Sequence, residues 1–112
     1  MTSHVTTHVL DTALGHPAAG VTVTLSLVED RAVEPLAYGV TDDDGRVREL
    51  GPEHLPTGTY RLTFDVAGYF AHSGRTAFFP SVDITFALSD VDQHHHVPLL
   101  LSPFAYSTYR GS

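Results

Sequence analysis

The chain of 112 residues carries six basic residues against thirteen acidic ones, for a net charge of −7. That balance excludes a nucleic-acid partner, which needs a basic face, and leaves any anion site to a few local arginines. There is no cysteine, so neither disulfides nor thiol chemistry enter, and the length fits one domain over residues 1–112.

Met1-Thr2-Ser3-His4 shows neither the basic nor the apolar run of a leader peptide, and Met1–Ser3 reads as a frayed end. A first strand is expected over His4–Leu10, closed by the turn Gly15-His16-Pro17. Val21, Val23, Leu25 and Leu27 then alternate with polar residues, the pattern of a half-buried strand. A strand at Leu36–Thr41 leads into the Asp43-Asp44-Gly45 turn and a short strand within Arg46–Leu50. After Gly51-Pro52 and Pro56-Thr57-Gly58, alternation resumes over Tyr60–Val66. Only Ala67–Gly74 has room for a helix, of about two turns. Val82–Leu88 alternates again, His94–Leu101 follows, and Ser102-Pro103 turns the chain into Ala105–Tyr109. Short strands with close turn signals predict an all-β, antiparallel β-sandwich.

The strand from His94 departs from simple alternation. Val97, Leu99 and Leu101 face one way, and His94, His96, Pro98 and Leu100 the other. A strand apolar on both faces is covered on both. In a chain this small the second cover is expected to be another subunit, the alternative being an inner strand of a thick monomer. Its longest aliphatic run, Val97–Leu101, is far too short to span a bilayer, so no membrane partner and a soluble, cytoplasmic protein are expected.

Three places invite chemistry. His94 and His96 share a face and would suit zinc with His4 or His8 as a third ligand, yet no HExxH or cysteine cluster supports a metal. The alternative is a solvated strand end. Asp42-Asp43-Asp44-Gly45 suggests a calcium loop, but Arg46 stands where a fifth-position ligand belongs and Gly45 comes too early. It reads better as a turn that presents Arg46 at a strand start, with a turn-only role as the plain alternative. His8, taken alone, is a strand histidine, structural or exposed.

Four separated pieces together resemble the 5-hydroxyisourate hydrolases, the enzymatic branch of the transthyretin-like family. They are His8-Val9-Leu10-Asp11 with Gly15-His16-Pro17-Ala18; Asp44-Gly45-Arg46; Gly68-Tyr69-Phe70 with Phe78-Phe79-Pro80; and His96-Val97-Pro98-Leu99-Leu100-Leu101-Ser102-Pro103 with Tyr109-Arg110-Gly111-Ser112. Transthyretin hormone carriers share the Leu-Leu-Ser-Pro core but not the Tyr-Arg-Gly-Ser ending, so the ending bears on enzyme against carrier of small planar ligands. The resemblance implies a transthyretin-like sandwich of two four-stranded sheets with one short helix. It further implies a homotetramer, a dimer of dimers with active sites in channels at the dimer–dimer interface. The implied reaction is hydrolysis of 5-hydroxyisourate to 2-oxo-4-hydroxy-4-carboxy-5-ureidoimidazoline, without cofactor or metal. The implied catalytic residues are His8, Arg46, His96 and Ser112, with Tyr109, Arg110 and Gly111 contacting substrate. One departure is visible: the family's usual tyrosine between the two histidines is His95 here. An immunoglobulin-like or adhesion sandwich with surface histidines is the remaining alternative.

Overall fold

Two β-sheets pack face to face in a computed structural model that describes residues 3–112. The elements run β1 (Val5–Asp11), β2 (His16–Pro17), β3 (Thr22–Glu29), β4 (Ala32–Val40), β5 (Arg46–Val47), β6 (Gly58–Asp65), α1 (Val66–His72), β7 (Ser81–Leu88), β8 (His95–Ser102) and β9 (Ala105–Thr108). One sheet has the order β4-β3-β6-β7. The other runs β2-β1-β8-β9 with β5 also on β1, making five strands where four were expected. The extra strand is β2, two residues expected to be part of a turn, which docks on β1 as the equally short β5 does. Among the described residues the sandwich is antiparallel except at one place: β1 and β8 run parallel.

The alternating segments build the core as their period demands. Val5 and Val9 of β1, Val23 and Leu25 of β3, Leu62 and Phe64 of β6, and Leu99 and Leu101 of β8 are all buried between the sheets. Each such side chain stabilises the fold by about 1.5–3 kcal/mol relative to exposure. The expected start of the fourth strand, Leu36, falls inside β4. Residues 32–36 are exposed on this edge strand, so no hydrophobic period marks them. Asp30, at φ 52°, makes the tight turn that lets β4 begin at Ala32.

The helix starts one residue earlier than expected because Asp65 caps it. Its carboxylate accepts the Gly68 N–H, and Val66 and Phe70 turn into the core. Ser3, read as part of a frayed end, is instead buried. Its hydroxyl donates to the Gly51 carbonyl and accepts the Leu50 N–H at 2.6 Å. Met1 and Thr2 lie outside the described residues.

Asp11 ends β1 in a buried ionic knot. Its Oδ2 accepts from the Tyr69 hydroxyl at 2.6 Å and from Arg75 at 2.7 Å, and Oδ1 accepts the Ala13 and Leu14 N–H groups. Arg75 also lies over the Phe70 ring, 4.9 Å from its centroid. Burial pushes the Asp11 carboxyl up, but the Arg75, Tyr69 and Leu14 hydrogen bonds outweigh it and hold the pKa at about 2. The sign follows: a pKa depressed below 3.8 contributes stability that is complete above pH 3.8 and is lost as pH falls toward 2. Asp11→Asn is therefore expected to lower the unfolding free energy by about 2–4 kcal/mol at neutral pH. In urea melts the gap between parent and variant should narrow between pH 4 and pH 2; a gap independent of pH removes this account.

Candidate active site

The outer face of the five-stranded sheet collects the chemistry. Cross-strand partners share a face, and the register sets His8 opposite Arg46 on β5 and opposite Pro98 on β8, and Thr6 opposite His96. Arg46 owes its place to the loop before it. Asp42 Oδ1 accepts the Asp44 and Arg46 N–H groups, and the Gly45 N–H donates to the Asp42 carbonyl at 2.8 Å. Gly45 has φ +76° and lies against the Val9 carbonyl, where a Cβ has no room. The Asp42 carboxyl is held below its usual range, chiefly by the Arg46 N–H. The Asp-Gly turn thus does present Arg46 at a strand start, and the Asp42 carboxylate is engaged by backbone N–H groups and by the Arg48 guanidinium.

Arg46, His96 and Ser112 line one cavity of about 450 Å³, together with Thr6, His94, Arg48 and Glu49. That volume suits a small ligand. The last residues reach it because the Gly111 N–H donates to the His96 carbonyl at 2.8 Å. A Cβ at Gly111 would stand 2.6 Å from His96 Cδ2, so only glycine lets the segment lie this close to the imidazole. His8 shares the face but is not on this cavity wall. Tyr109 and Arg110 line a second, mostly apolar crevice of about 240 Å³ beside β7, away from Arg46. There the Arg110 guanidinium donates to Gln93 Oε1 at 2.8 Å.

The imidazoles divide by face. His95 points inward and is buried, edge-on to the His4 ring at a centroid distance of 5.6 Å. Its Nδ1 donates to the Gln93 carbonyl, and burial pushes its pKa down. His4 is used up structurally: Nδ1 accepts the Leu55 N–H and Nε2 donates to the Gln93 carbonyl. It is therefore no third ligand for His94 and His96, and no cluster of three or more metal-binding side chains occurs among the described residues. His96 faces the cavity. Burial and then the nearby Arg46 charge push its pKa below the ordinary 6.5, so the ring is neutral, a base rather than an acid, near pH 7.

Sequence reasoning gave Thr6 no role and read Asp42 only within a calcium-loop or turn motif, without its hold on the Arg46 backbone. Thr6 hydrogen-bonds both His94 and His96, and its signal was available: it precedes His8 by two residues and so shares its face. The signal for Asp42 was an Asp at the head of an Asp-Gly turn, which commonly binds backbone two residues on. Chemically, the cavity offers a fixed cation, a neutral imidazole and a hydroxyl around space for one small ring.

Comparison with known proteins bears on this arrangement. The model of the HIUase/Transthyretin family matches residues 5–111. A 5-hydroxyisourate hydrolase from Caulobacter vibrioides is 49% identical, over 98% of this chain and 99% of its own. The structure of Klebsiella pneumoniae 5-hydroxyisourate hydrolase superposes with a TM-score of 0.86 at 42% identity, covering 96% of this chain and 98% of that one. Sea bream transthyretin in complex with thyroxine superposes as well, at a TM-score of 0.89 and 33% identity, covering 96% and 93%. Backbone shape therefore does not separate hydrolase from carrier; side chains must.

Proposed function

This chain belongs to the HIUase/Transthyretin family, and from that premise and the side chains of the cavity we propose that it hydrolyses 5-hydroxyisourate. The carrying observation is the convergence of Arg46, neutral His96 and Ser112 on one cavity, with His8 on the same sheet face. A carrier of planar ligands needs shape and apolar walls; it has no use for a neutral base beside a guanidinium.

The chemistry follows from the residues. His96, with His8, positions and deprotonates a water molecule, and a positioned base is worth roughly 10²–10⁴-fold in rate. The Arg46 fork binds the electron-rich ring and offsets the negative charge that develops as hydroxide adds to the carbonyl carbon. Ser112 orients the ring. Collapse of the adduct breaks the amide C–N bond and gives 2-oxo-4-hydroxy-4-carboxy-5-ureidoimidazoline. The imidazole supplies the base and the guanidinium the charge, so the reaction as drawn needs no cofactor. The test is direct: 5-hydroxyisourate made in place with urate oxidase should lose its absorbance far faster once this protein is added. Decay at the spontaneous rate defeats the reading.

We further propose a cytoplasmic homotetramer, a dimer of dimers, with the site at the dimer–dimer interface. Support comes from Leu10 and Leu100, paired across β1 and β8 and half-buried on the face that carries the cavity. An apolar patch beside a polar site favours cover by a second copy. Leu100→Asp is expected to convert tetramers to dimers or smaller in sedimentation and to lower activity with them. A parent protein that sediments as a monomer contradicts the assembly.

A further inference from the structure

We propose that Thr6 is a positioning residue that relays a proton between His96 and His94, so that water deprotonated by His96 leaves its positive charge on the outer imidazole. The inference rests on the hydrolase reading above. Its basis is a hydrogen count. Thr6 Oγ1 lies 2.8 Å from His94 Nε2 and 2.9 Å from His96 Nδ1. The hydroxyl has one hydrogen to give. When it donates to one imidazole, the other must donate to it, or one of the two contacts is lost. The two neutral rings are thereby locked into the same tautomer across one oxygen, both with hydrogen on Nδ1 or both with hydrogen on Nε2.

Two arrangements satisfy the count. In the first, His96 Nδ1–H donates to Thr6, Thr6 donates to His94 Nε2, and His96 Nε2 presents a lone pair. In the second, His94 Nε2–H donates to Thr6, Thr6 donates to His96 Nδ1, and His96 Nε2 carries the hydrogen. Deprotonating water converts the first into the second. His96 Nε2 takes the water proton, and the electron pair of that O–H bond forms the new bond to the substrate carbonyl carbon. His96 Nδ1 gives its proton to Thr6 Oγ1, and Thr6 gives its own to His94 Nε2. His94, already protonated at Nδ1, ends as imidazolium; His96 is neutral before and after.

The placement of charge makes this route favourable. A cation on His96 would be half-buried and next to Arg46, both of which disfavour it. His94 is more exposed than His96, so its charge is better solvated. Reversing the same moves returns the proton to the leaving nitrogen. The buried His4–His95 pair anchors the strand end behind this chain of bonds, because both rings donate to the Gln93 carbonyl, next to His94.

Thr6→Val keeps the shape of the side chain and removes the hydroxyl; Thr6→Ser keeps the hydroxyl. Thr6→Val should lower kcat by about thirtyfold, within the range of a lost proton-transfer group, with KM within about twofold of the parent. Thr6→Ser should stay within about threefold of the parent, and His94→Phe added to Thr6→Val should cost little more than Thr6→Val alone. Unfolding midpoints are compared alongside. Independently of turnover, nitrogen-15 NMR of labelled histidine should show the His94 Nε2 and His96 Nδ1 resonances move in Thr6→Val and return in Thr6→Ser. If kcat in Thr6→Val stays within twofold of the parent, or both resonances stay put, the relay is refuted. If the parent fails to consume 5-hydroxyisourate while the resonances respond as stated, the substrate assignment falls and the coupling of the two rings stands.

Discussion

Replacing His96 with alanine is expected to lower kcat/KM for 5-hydroxyisourate by about two orders of magnitude or more, the scale of a lost general base. Thermal stability should change little, because the ring stands on the outer face of the sheet rather than between the sheets. Arg46→Ala should match that loss by removing the charge that faces the developing oxyanion. His8→Ala is the informative member of the series. His8 lies beside Arg46 in the register but not on the cavity wall, so a full hundredfold loss shows that it reaches the reacting water. His16→Ala and His54→Ala should be nearly silent. The activity profile should also keep its base form to below pH 6.5, since the His96 pKa is lowered by burial and by Arg46. Full activity in the His96 variant ends the proposal.

The second large effect is expected at a residue with no side chain. Gly111→Ala puts a methyl carbon into the space of His96 Cδ2, 2.6 Å away. Thr6 holds that ring from the other side, so it has little freedom to yield. Either the imidazole tilts or residues 109–112 leave the sheet, and each outcome displaces a group that must sit within fractions of an ångström. A loss of about a hundredfold in kcat/KM is expected, with the β-sheet circular-dichroism signal intact. Deleting Tyr109–Ser112, or fusing bulky residues after Ser112, should do the same, since Ser112 lines the cavity. A Gly111→Ala enzyme as fast as the parent means that the close approach serves no catalytic purpose, and Ser112 leaves the proposed set.

The same contrast explains what was legible in the chain. Val21–Leu27, Tyr60–Val66 and Val82–Leu88 announce themselves because each is half-buried, and one-sided burial writes a period of two. Residues 32–36 of β4 are exposed on an edge and write nothing, and β2 and β5 are too short for any period to show. The parallel run of β1 beside β8 is hidden for another reason: alternation reports which face is buried, not which direction the neighbour runs. In the candidate site, His8, Arg46 and His96 stand out because their side chains carry chemistry. Thr6 and Asp42 act on other residues rather than on a ligand, and such roles appear only when distances do. Tyr109 and Arg110 illustrate the converse. They sit in a motif with Ser112, but adjacency in sequence does not fix which crevice a side chain enters: Ser112 lines the cavity with Arg46, and both of these line the other crevice.

That parallel pairing has a consequence for the order in which this molecule is made. β1 and β8 join Val5 to His95 and Asp11 to Leu101, whereas β3, β4, β6 and β7 pair antiparallel with partners nearer in the chain. Contacts between distant residues must overcome loop-closure entropy before they return any energy, so they form late. A chain emerging from the ribosome therefore has the partners of its four-stranded sheet before those of the other. The side of β1 that takes β8 stays unpaired until residues near position 100 have been synthesised, although β2 and β5 are already available to its other side, and the cavity is the last feature to exist. Truncated products of translation would be inert, with the β1 edge open to whatever other strand they meet first.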